Sequence, residues 1–459
     1  MSSQPATPHL SISKYARHVN PQFVKLLGVF GYGRVFERAS DVWVWDQQGR
    51  LYLDFLAGFG SVNVGHNHPR LVARLRDFLA AERMNFCHVA PCAEAAELAE
   101  ALAGAAGTPL RVSLFSNSGA EAVEAGMKLA RAATGRKGFV YCQHGFHGTT
   151  LGTLSVMGGE RLRQPFEPLL NDCDAIPFGD LDALNRALAR GRVAGFIVEP
   201  VQGEGGVVTP PQGYLKEAQA LCRRHGTLLI LDEVQTGLGR TGTMFAYEAE
   251  GFTPDVLVLA KSLSGGVAPI GATLISEDTF DRAYGSLARF DLHGSTFGGN
   301  AFSCVAALET LRIIADENLV AAAAARGAQL LAGLREKLAG HPLVRDIRGR
   351  GLLVGIELGP TDSGWINKVA PSLVNLVSKN VFGQWAALKL LERGLICQPA
   401  SQAWNILRLE PPLTVREAEV DAAVEMVAGA LGEYRGMSPL LKDVAERLGG
   451  QWRKGWAFE

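Results

Sequence analysis

The chain has 459 residues, with 45 Lys and Arg against 46 Asp and Glu, and a formal net charge of −1. This balance argues against nucleic-acid binding, because a protein that binds a polyanion normally carries a basic excess. The first twenty residues lack the apolar core of a signal peptide and no uncharged stretch approaches membrane-spanning length, so we expect a cytoplasmic protein without an integral membrane segment.

The predicted elements begin with a hairpin and continue as alternating helices and strands. Residues 42–55 alternate around a turn-forming stretch at 46–49, which is typical of a β-hairpin. The elements predicted after it are helices 68–81, 93–104, 120–134, 180–190 and 213–225 and strands 111–116, 138–142, 194–199, 227–232, 255–260 and 271–275. This alternation predicts an α/β fold with a mainly parallel sheet covered by helices on both faces.

The pattern changes after Asn300. A long alanine-rich helical stretch continues to about Leu338, and a glycine turn at 348–351 leads into a strand. We expect a second domain in this part of the chain. The segment 362–403 predicts an additional amphipathic helix packed on that domain. Its large apolar residues are Trp365, Val369, Leu373, Leu376, Val377, Val381, Phe382 and Trp385.

Two apolar strands end in residues that can bind a cofactor or take part in catalysis. Lys261 follows the apolar run 256–260 and opens onto a glycine-rich turn. Burial lowers a lysine's pKa, so its amine can attack an aldehyde near neutral pH. The strand that begins at Thr227 delivers Asp232 and Glu233 to the edge where open α/β sheets bind ligands. Such a lysine and acid are what pyridoxal phosphate requires, because the lysine holds its aldehyde and the acid keeps its pyridine nitrogen protonated.

A third feature joins a strand to a helix through small residues. The stretch 115–126 is rich in Ser, Gly and Ala, so backbone N–H groups at the helix start can approach a phosphate. A plain capped helix start explains the same residues, because Ser118 is a suitable N-cap and Glu121 follows three residues later. The two interpretations are compatible.

These motifs give the chain a resemblance to a known family. It resembles the class III aminotransferases, which are pyridoxal-phosphate enzymes of fold type I. The matching motifs occur in family order between about Gly33 and Val427, at 117–121, 146–148, 199–204, 231–237, 260–261, 295–300 and 408–412. The resemblance implies a large cofactor-binding domain over 76–335. It also implies that the N-terminal arm and hairpin of 1–75 join residues 336–459 in a smaller α+β domain.

The resemblance also implies which residues hold the cofactor. Lys261 would form the Schiff base and move the proton, with Asp232 as the partner of the ring nitrogen. The other cofactor-binding residues implied are Ser118, Gly119 and Ala120 around the phosphate, Phe146 stacked on the ring, His147, Glu199, Gln235 at the phenolic oxygen, and Thr296. In this family the threonine reaches the phosphate of the neighbouring subunit, which implies a homodimer or a dimer of dimers. No metal site is expected, because the seven cysteines are scattered and lack a zinc-ligand pattern.

Three residues are implied to bind substrate. Arg408 aligns with the arginine that clamps an α-carboxylate, and Glu204 with the acid that covers it when an ω-amine enters. Without the resemblance, Glu204 would be a solvated loop acid and Arg408 a surface charge. Phe59 falls where relatives line the donor pocket, and an aromatic ring there favours an apolar methylene chain. Thr149 replaces the basic residue of ornithine-type and diamine-type relatives, which leaves 2-oxoglutarate and pyruvate as alternative acceptors.

The expected function is ping-pong transfer of an amino group from an ω-amine or a putrescine-like diamine to a 2-oxo acid. One alternative is an ornithine-, acetylornithine- or 4-aminobutyrate-type aminotransferase. Another is an aminomutase of the glutamate-semialdehyde type, which needs no external acceptor. A non-catalytic regulatory or scaffold protein that kept the fold is a third. For the apolar residues of 362–403, the alternatives to core packing are an entrance lined for long apolar amines or a docking surface for a membrane or carrier protein.

Overall fold

A computed structural model describes residues 8–30, 33–85, 89–359, 381–434 and 436–453. Its α-helices are α1 Pro8–His18, α2 Pro21–Phe30, α3 Ala57–Gly60, α4 Pro69–Ala80, α5 Ala93–Ala106, α6 Gly119–Thr134, α7 Leu151–Leu154, α8 Glu160–Arg163, α9 Leu181–Leu188, α10 Tyr214–Arg224, α11 Glu277–Tyr284, α12 Ala301–Asp316, α13 Leu319–Lys337, α14 Phe382–Glu392, α15 Glu417–Gly432 and α16 Met437–Arg453. Three single-turn 3-10 helices lie at Gln164–Phe166, Ala246–Glu250 and Lys261–Ser264.

The strands form three sheets. They are β1 Phe36–Ser40, β2 Trp43–Asp46, β3 Leu51–Asp54, β4 Val112–Ser116, β5 Gly138–Cys142, β6 Cys173–Ile176, β7 Val193–Val198, β8 Leu228–Asp232, β9 Val256–Leu259, β10 Gly271–Ile275, β11 Val344–Arg350, β12 Leu353–Leu358, β13 Leu395–Ile396, β14 Gln398–Ala400 and β15 Ala403–Leu409. The central sheet has seven strands in the order β4-β10-β9-β8-β7-β5-β6.

The central sheet is parallel except at β10, which pairs antiparallel with both β4 and β9. Strands β5, β7, β8, β9 and β10 are buried throughout, as expected for near-continuous apolar strands covered on both faces. The α/β, fold type I architecture predicted from the sequence is confirmed. The carboxyl ends of β5, β7, β8 and β9 therefore meet at one edge of the sheet.

The N-terminal hairpin shares a sheet with the C-terminal third of the chain. Strands β2 and β3 pair antiparallel as predicted, and β13 adds to β3 in parallel, in the order β1-β2-β3-β13. The remaining sheet has the order β11-β12-β15-β14, and its strand β15 carries Arg408. The domain boundaries expected at 75 and 335 stay a prediction.

Two of the differences from the predicted elements concern the helices after Asn300 and the edge of the central sheet. The single helical stretch expected after Asn300 is two helices, because Asn318 takes a left-handed backbone conformation with φ of 52° between them. Strand β6 was not predicted, and it is the edge strand of the central sheet, where burial is incomplete and the apolar pattern is weak.

The apolar segment 362–403 is only partly described, since residues 360–380 lie outside the described chain. Its described part includes α14, where Trp385 is buried and donates an indole N–H to the Tyr434 hydroxyl at 3.0 Å. This supports the core-packing interpretation for Trp385. Within the described ranges, no helix is long and apolar enough to cross a membrane, and no group of three or more His, Cys, Asp or Glu residues could hold a metal ion.

Candidate active site

The carboxyl edge of the central sheet brings together the residues predicted to hold a cofactor. Asp232 is the last residue of β8, and Lys261 follows the neighbouring strand β9 by two residues. Glu199 follows β7, and the loop after β5 carries Phe146 and His147. Because these strands are adjacent and parallel, side chains that follow their ends converge on one cleft.

Asp232 and Glu233 have opposite tasks although they are neighbours in sequence. The Asp232 carboxylate is buried and contacts His147 Nδ1 at 2.8 Å. The Glu233 carboxylate turns to the other side and accepts hydrogen bonds from the backbone N–H groups of Ala246, at 2.8 Å, and Tyr247, at 3.0 Å. Burial raises the pKa of Glu233 to about 7. Only Asp232 therefore faces the candidate site.

His147 and Glu199 are buried polar residues close to Asp232. Burial lowers the pKa of His147, but the hydrogen bond and charge of Asp232 outweigh burial and raise it. Glu199 accepts the backbone N–H of Phe146 at 2.9 Å, and burial raises the pKa of this carboxyl to about 7. A buried histidine whose pKa is raised thus lies directly beside the Asp232 carboxylate.

Lys261 has the environment that its sequence predicted. It begins the 3-10 turn after β9 with φ of 44°, a left-handed conformation rare for a lysine. Burial lowers its pKa, while the nearby carboxylates of Glu204 and Glu410 act in the opposite direction. A lowered pKa leaves more of the amine neutral and nucleophilic at a given pH.

The start of α6 has the properties of an anion site. Ser118 is the N-cap, accepting the backbone N–H of Glu121 at 3.1 Å, so the capped helix start is confirmed. Ser118 is exposed, and a Cβ added at Gly119 would lie 3.0 Å from a Val234 methyl group. Glycine therefore lets this helix end pack against the segment that follows Asp232. The exposed N-terminus of a long helix is suited to a phosphate.

Arg408 lies on β15 between two carboxylates and is fully buried. Its Nη1 donates to Glu204 Oε1, and its Nε lies 2.8 Å from Glu410 Oε1. Burial would raise the pKa of Glu204, but Arg408 outweighs it and lowers that pKa to about 2. The interpretations of Glu204 as a solvated loop acid and of Arg408 as a surface charge are therefore wrong.

Phe59 and Gln235 border the same arginine. The Arg408 guanidinium carbon lies 5.5 Å from the centroid of the Phe59 ring, which is 42% exposed and so faces the open side of the pocket. Gln235 donates its side-chain N–H to Glu410 Oε2 at 3.1 Å. Among the described residues, the Gln235 side-chain oxygen and His147 Nε2 are buried without a hydrogen-bond partner. Both atoms are thus left for a polar ligand.

Thr296 is exposed on the loop before α12. The neighbouring Ser295 hydroxyl lies 2.7 Å from the Asn117 side-chain nitrogen, next to Ser118 of the same chain. Thr296 itself makes no described contact with the residues of this subunit's cleft. Several large apolar side chains before and after it in the sequence are exposed, namely Leu287, Phe290, Leu292 and Phe297.

Glu410 is the site residue that sequence reasoning missed. It lies inside the 408–412 motif, but no role was assigned to it. The signal was present, because alternate residues of a strand point to the same face, and Glu410 follows Arg408 by two. An arginine directed inward from β15 therefore predicted a buried neighbour at 410. The other buried cation nearby, Arg240, was not singled out either.

A strand-end lysine with a lowered pKa, a buried carboxylate, a planar aromatic side chain and an exposed helix N-terminus together define a pyridoxal-phosphate-type site. The chain belongs to the class III aminotransferase family, whose description "Aminotransferase class-III" matches residues 31–431. Class III aminotransferases are transaminases that use pyridoxal phosphate, so the family agrees with the reaction class and cofactor that the sequence predicted.

Individual relatives agree with this family assignment. The chain is similar to the aminotransferase PigE of Serratia sp. (strain ATCC 39006), with 39% identity over 454 residues, covering 92% of this chain and 53% of that protein. It thus spans about half the length of that relative. A structure of ornithine aminotransferase from Toxoplasma gondii, described with partial occupancy of pyridoxal phosphate at the active site, shares 34% identity and a TM-score of 0.78, covering 87% and 90% of the two chains. A Bacillus anthracis aminotransferase shares 29% identity and a TM-score of 0.82, covering 94% and 100%.

Proposed function

We propose that this enzyme transfers an amino group from an ω-amine or diamine to a 2-oxo acid in a ping-pong reaction. The observation that carries the proposal is the ion pair between Arg408 and Glu204 in the donor pocket. An α-amino acid needs a free cation for its carboxylate, whereas an ω-amine presents only methylene groups beside the reacting carbon. A covered arginine favours the second kind of donor.

The shape and polarity of the pocket support the same choice. Phe59 places an aromatic face beside Arg408 and is partly exposed, which suits an alkyl chain. The position expected to carry a basic residue in ornithine-type relatives holds Thr149, which is exposed. A donor with a carboxylate at its far end would therefore find no cation at that position.

We assign the cofactor contacts to the residues at the sheet edge. Ser118, Gly119 and Ala120 bind the phosphate, Phe146 stacks on the ring, and Gln235 hydrogen-bonds the phenolic oxygen. Asp232 would pair with the ring nitrogen, and its 2.8 Å contact with His147 orients it for that role. The bound cofactor supplies an aldehyde and an electron-withdrawing ring. Lys261 holds that aldehyde between turnovers and moves the proton between substrate carbon and cofactor during them.

In the second half of the ping-pong reaction a 2-oxo acid accepts the amino group, and the pocket must then present a positive charge. A 2-oxo acid brings a carboxylate, for which the guanidinium of Arg408 is the planar partner. Glu204 occupies one edge of that guanidinium and must withdraw first. Glu204 is held by the backbone N–H of Ser401 at 3.0 Å in addition to Arg408. We therefore propose that the Glu204 side chain leaves when acceptor binds and returns when amine binds.

Substitution of Arg408 tests whether this residue binds the acceptor's carboxylate and not the donor. We expect Arg408→Lys to raise the KM of the 2-oxo acid by roughly tenfold or more, because lysine keeps the charge but loses the bidentate fork. The KM of the diamine is expected to change by less than about threefold, since the donor makes no ion pair with Arg408. Steady-state kinetics with each substrate varied in turn measures both values.

Arg408→Ala is expected to show a larger acceptor effect, on the order of a hundredfold, and lower stability, because it leaves Glu204 and Glu410 buried without their cation. Lysine retains a cation between the two acids, so Arg408→Lys separates the kinetic effect from misfolding. Equal changes in both KM values for Arg408→Lys would remove Arg408 from the carboxylate role.

We also propose that the active enzyme is a homodimer in which Thr296 completes the partner's phosphate site. Support comes from large apolar side chains that are exposed and cluster in the sequence around Thr296, among them Leu287 at 93% and Phe290 at 64% exposure. A surface segment with several exposed large apolar residues favours a protein interface.

A charged residue in that cluster tests the dimer. Phe290→Glu is expected to shift the protein from dimer to monomer in sedimentation velocity and to reduce turnover and affinity for the cofactor, because Thr296 no longer reaches a partner. Phe166→Glu is the matched control, since Phe166 is 55% exposed and lies outside the cluster. A Phe290→Glu protein that remains dimeric and fully active would contradict this interface.

A further inference from the structure

Arg408 has two acidic neighbours that differ in their freedom to move. Glu204 lies on the loop after β7 and reaches the cleft surface, where it retains some exposure. Glu410 directly follows β15, its backbone N–H donates to the Phe55 carbonyl at 2.9 Å, and its side chain is fully buried. An outward rotation can take Glu204 into solvent, whereas Glu410 has no such exit.

Further contacts hold the Glu410 carboxylate in place. Gln235 donates to its Oε2 at 3.1 Å, and a Cβ added at Gly60 would come within 3.0 Å of the same atom. Gly60 has φ of 75°, so both its conformation and this close approach require glycine. The Gly60 backbone thus closes one side of the cavity that holds the acid.

The contact between Glu410 and Arg408 is one of charge more than of hydrogen bonding. Arg408 Nε and Glu410 Oε1 are 2.8 Å apart, yet neither atom has a hydrogen bond of acceptable angle among the described residues. Burial lowers the pKa of Arg408, but the charge of Glu410, followed by that of Glu204, outweighs burial and raises it. Glu410 therefore neutralises Arg408 from beside Nε, a different atom from the Nη1 that Glu204 contacts.

The second buried arginine does not take this role from Arg408. Arg240 donates its Nη1 to the carbonyls of Leu352 and Pro411, and its Nη2 to the Asn63 side-chain oxygen at 2.6 Å. It has no described ion pair within contact distance of Glu410. Arg408 is thus the cation in direct contact with Glu410, although Arg240 acts on it through space.

We propose that Glu410 is a specificity-determining residue that remains beside Arg408 when Glu204 withdraws. The arginine then offers an incoming carboxylate a guanidinium whose charge is already partly neutralised. This weakens binding of 2-oxo acids and α-amino acids and favours donors that lack an α-carboxylate. The inference rests on the proposed carboxylate-binding role of Arg408. It adds Glu410, an acid that stays in place, to Glu204, the acid that moves.

The test is Glu410→Gln, which removes the charge and nearly preserves the shape. The enzyme is first converted to its aminated form with pyridoxamine phosphate, so that no amine donor is needed. Dissociation constants are then measured for pyruvate and 2-oxoglutarate in single turnovers and for the unreactive propionate at equilibrium. We expect each constant to be roughly tenfold lower in the variant, given the size of a partly buried charge interaction. The variant is also expected to accept L-alanine as a donor at least tenfold better.

Two comparisons separate this result from a structural effect. Glu419→Gln removes another buried acid, one paired with Arg416 away from the site, and is expected to leave every constant unchanged. The Glu410→Gln spectrum of bound cofactor is expected to match that of the unaltered enzyme, because glutamine can still accept from Gln235. Weaker or unchanged carboxylate binding in Glu410→Gln, or tighter binding together with an altered cofactor spectrum, would overturn the proposal.

A dependence on pH gives a second readout. Burial raises the pKa of Glu410, opposed by the charges of Arg408, Lys261 and Arg240 and assisted by that of Glu204. As pH falls through that pKa, Glu410 loses its charge, so propionate is expected to bind the unaltered enzyme more tightly. Glu410→Gln is expected to lose this part of the pH dependence, and retention of the full dependence would contradict the proposal.

The proposed function and this inference can fail separately. If the enzyme does not react with diamines, yet Glu410→Gln still tightens carboxylate binding, the donor assignment is wrong and the role of Glu410 stands. If diamines react but Glu410→Gln has no effect on carboxylates, the donor assignment stands and the specificity role is wrong.

Discussion

Lys261→Ala is expected to lose turnover by at least about 10⁴-fold while the protein remains folded. A single amine both anchors the cofactor aldehyde and carries the substrate proton in the proposed mechanism, so its removal eliminates two functions at once. The side chain forms no described hydrogen bond or ion pair, and alanine retains the backbone geometry of the turn. Turnover of a diamine with pyruvate, together with the melting temperature, measures both parts of this expectation.

Lys261→Arg is the matched control for charge. It keeps a cation beside Glu204 and Glu410, but a guanidinium cannot lose its proton near neutral pH and so cannot attack an aldehyde. We expect it to be as inactive as Lys261→Ala. Substantial turnover in either variant would mean that another group carries the proton, and the mechanism proposed for this site would be wrong.

The sequence predicted the fold well where its periodicity was strong. Buried parallel strands are short continuous apolar runs, and those ending at Asp232 and before Lys261 were predicted within a residue or two of their observed bounds. Their adjacency followed from the alternation of strands with helices. Edge strand β6 and the break at Asn318 were missed, because one is incompletely buried and the other depends on a single left-handed residue.

The site was less predictable where its residues depend on long-range packing. Arg408 and Glu204 are 204 positions apart, and only the family resemblance brought them together before the structure placed them in contact. Glu410 was readable from the alternation of β15 but was overlooked. Its contacts with Gln235 and Gly60 could not be foreseen, because they join three segments with no local signal in common.

Thr296 was expected to act in a partner's site, and it is exposed on the loop before α12. The roles assigned to individual site residues, and the two-domain division, accordingly remain predictions for the experiments above.

Donor specificity is the central claim, and one half-reaction tests it most directly. Holoenzyme without any 2-oxo acid is mixed with putrescine, cadaverine, a long-chain monoamine, ornithine or 4-aminobutyrate. The visible absorbance of the lysine-bound cofactor is then followed as the cofactor is converted to its aminated form. Omitting the acceptor isolates the donor site, so the choice between pyruvate and 2-oxoglutarate does not affect the result.

We expect complete loss of the visible band with the diamines or the monoamine, at a rate at least tenfold above that with ornithine or 4-aminobutyrate. The expected preference over these two amino acids follows from the aromatic Phe59 and from the lack of a basic residue at Thr149 for a distant carboxylate. Bleaching by ornithine or 4-aminobutyrate alone would contradict the account and place the enzyme among aminotransferases of ω-amino acids.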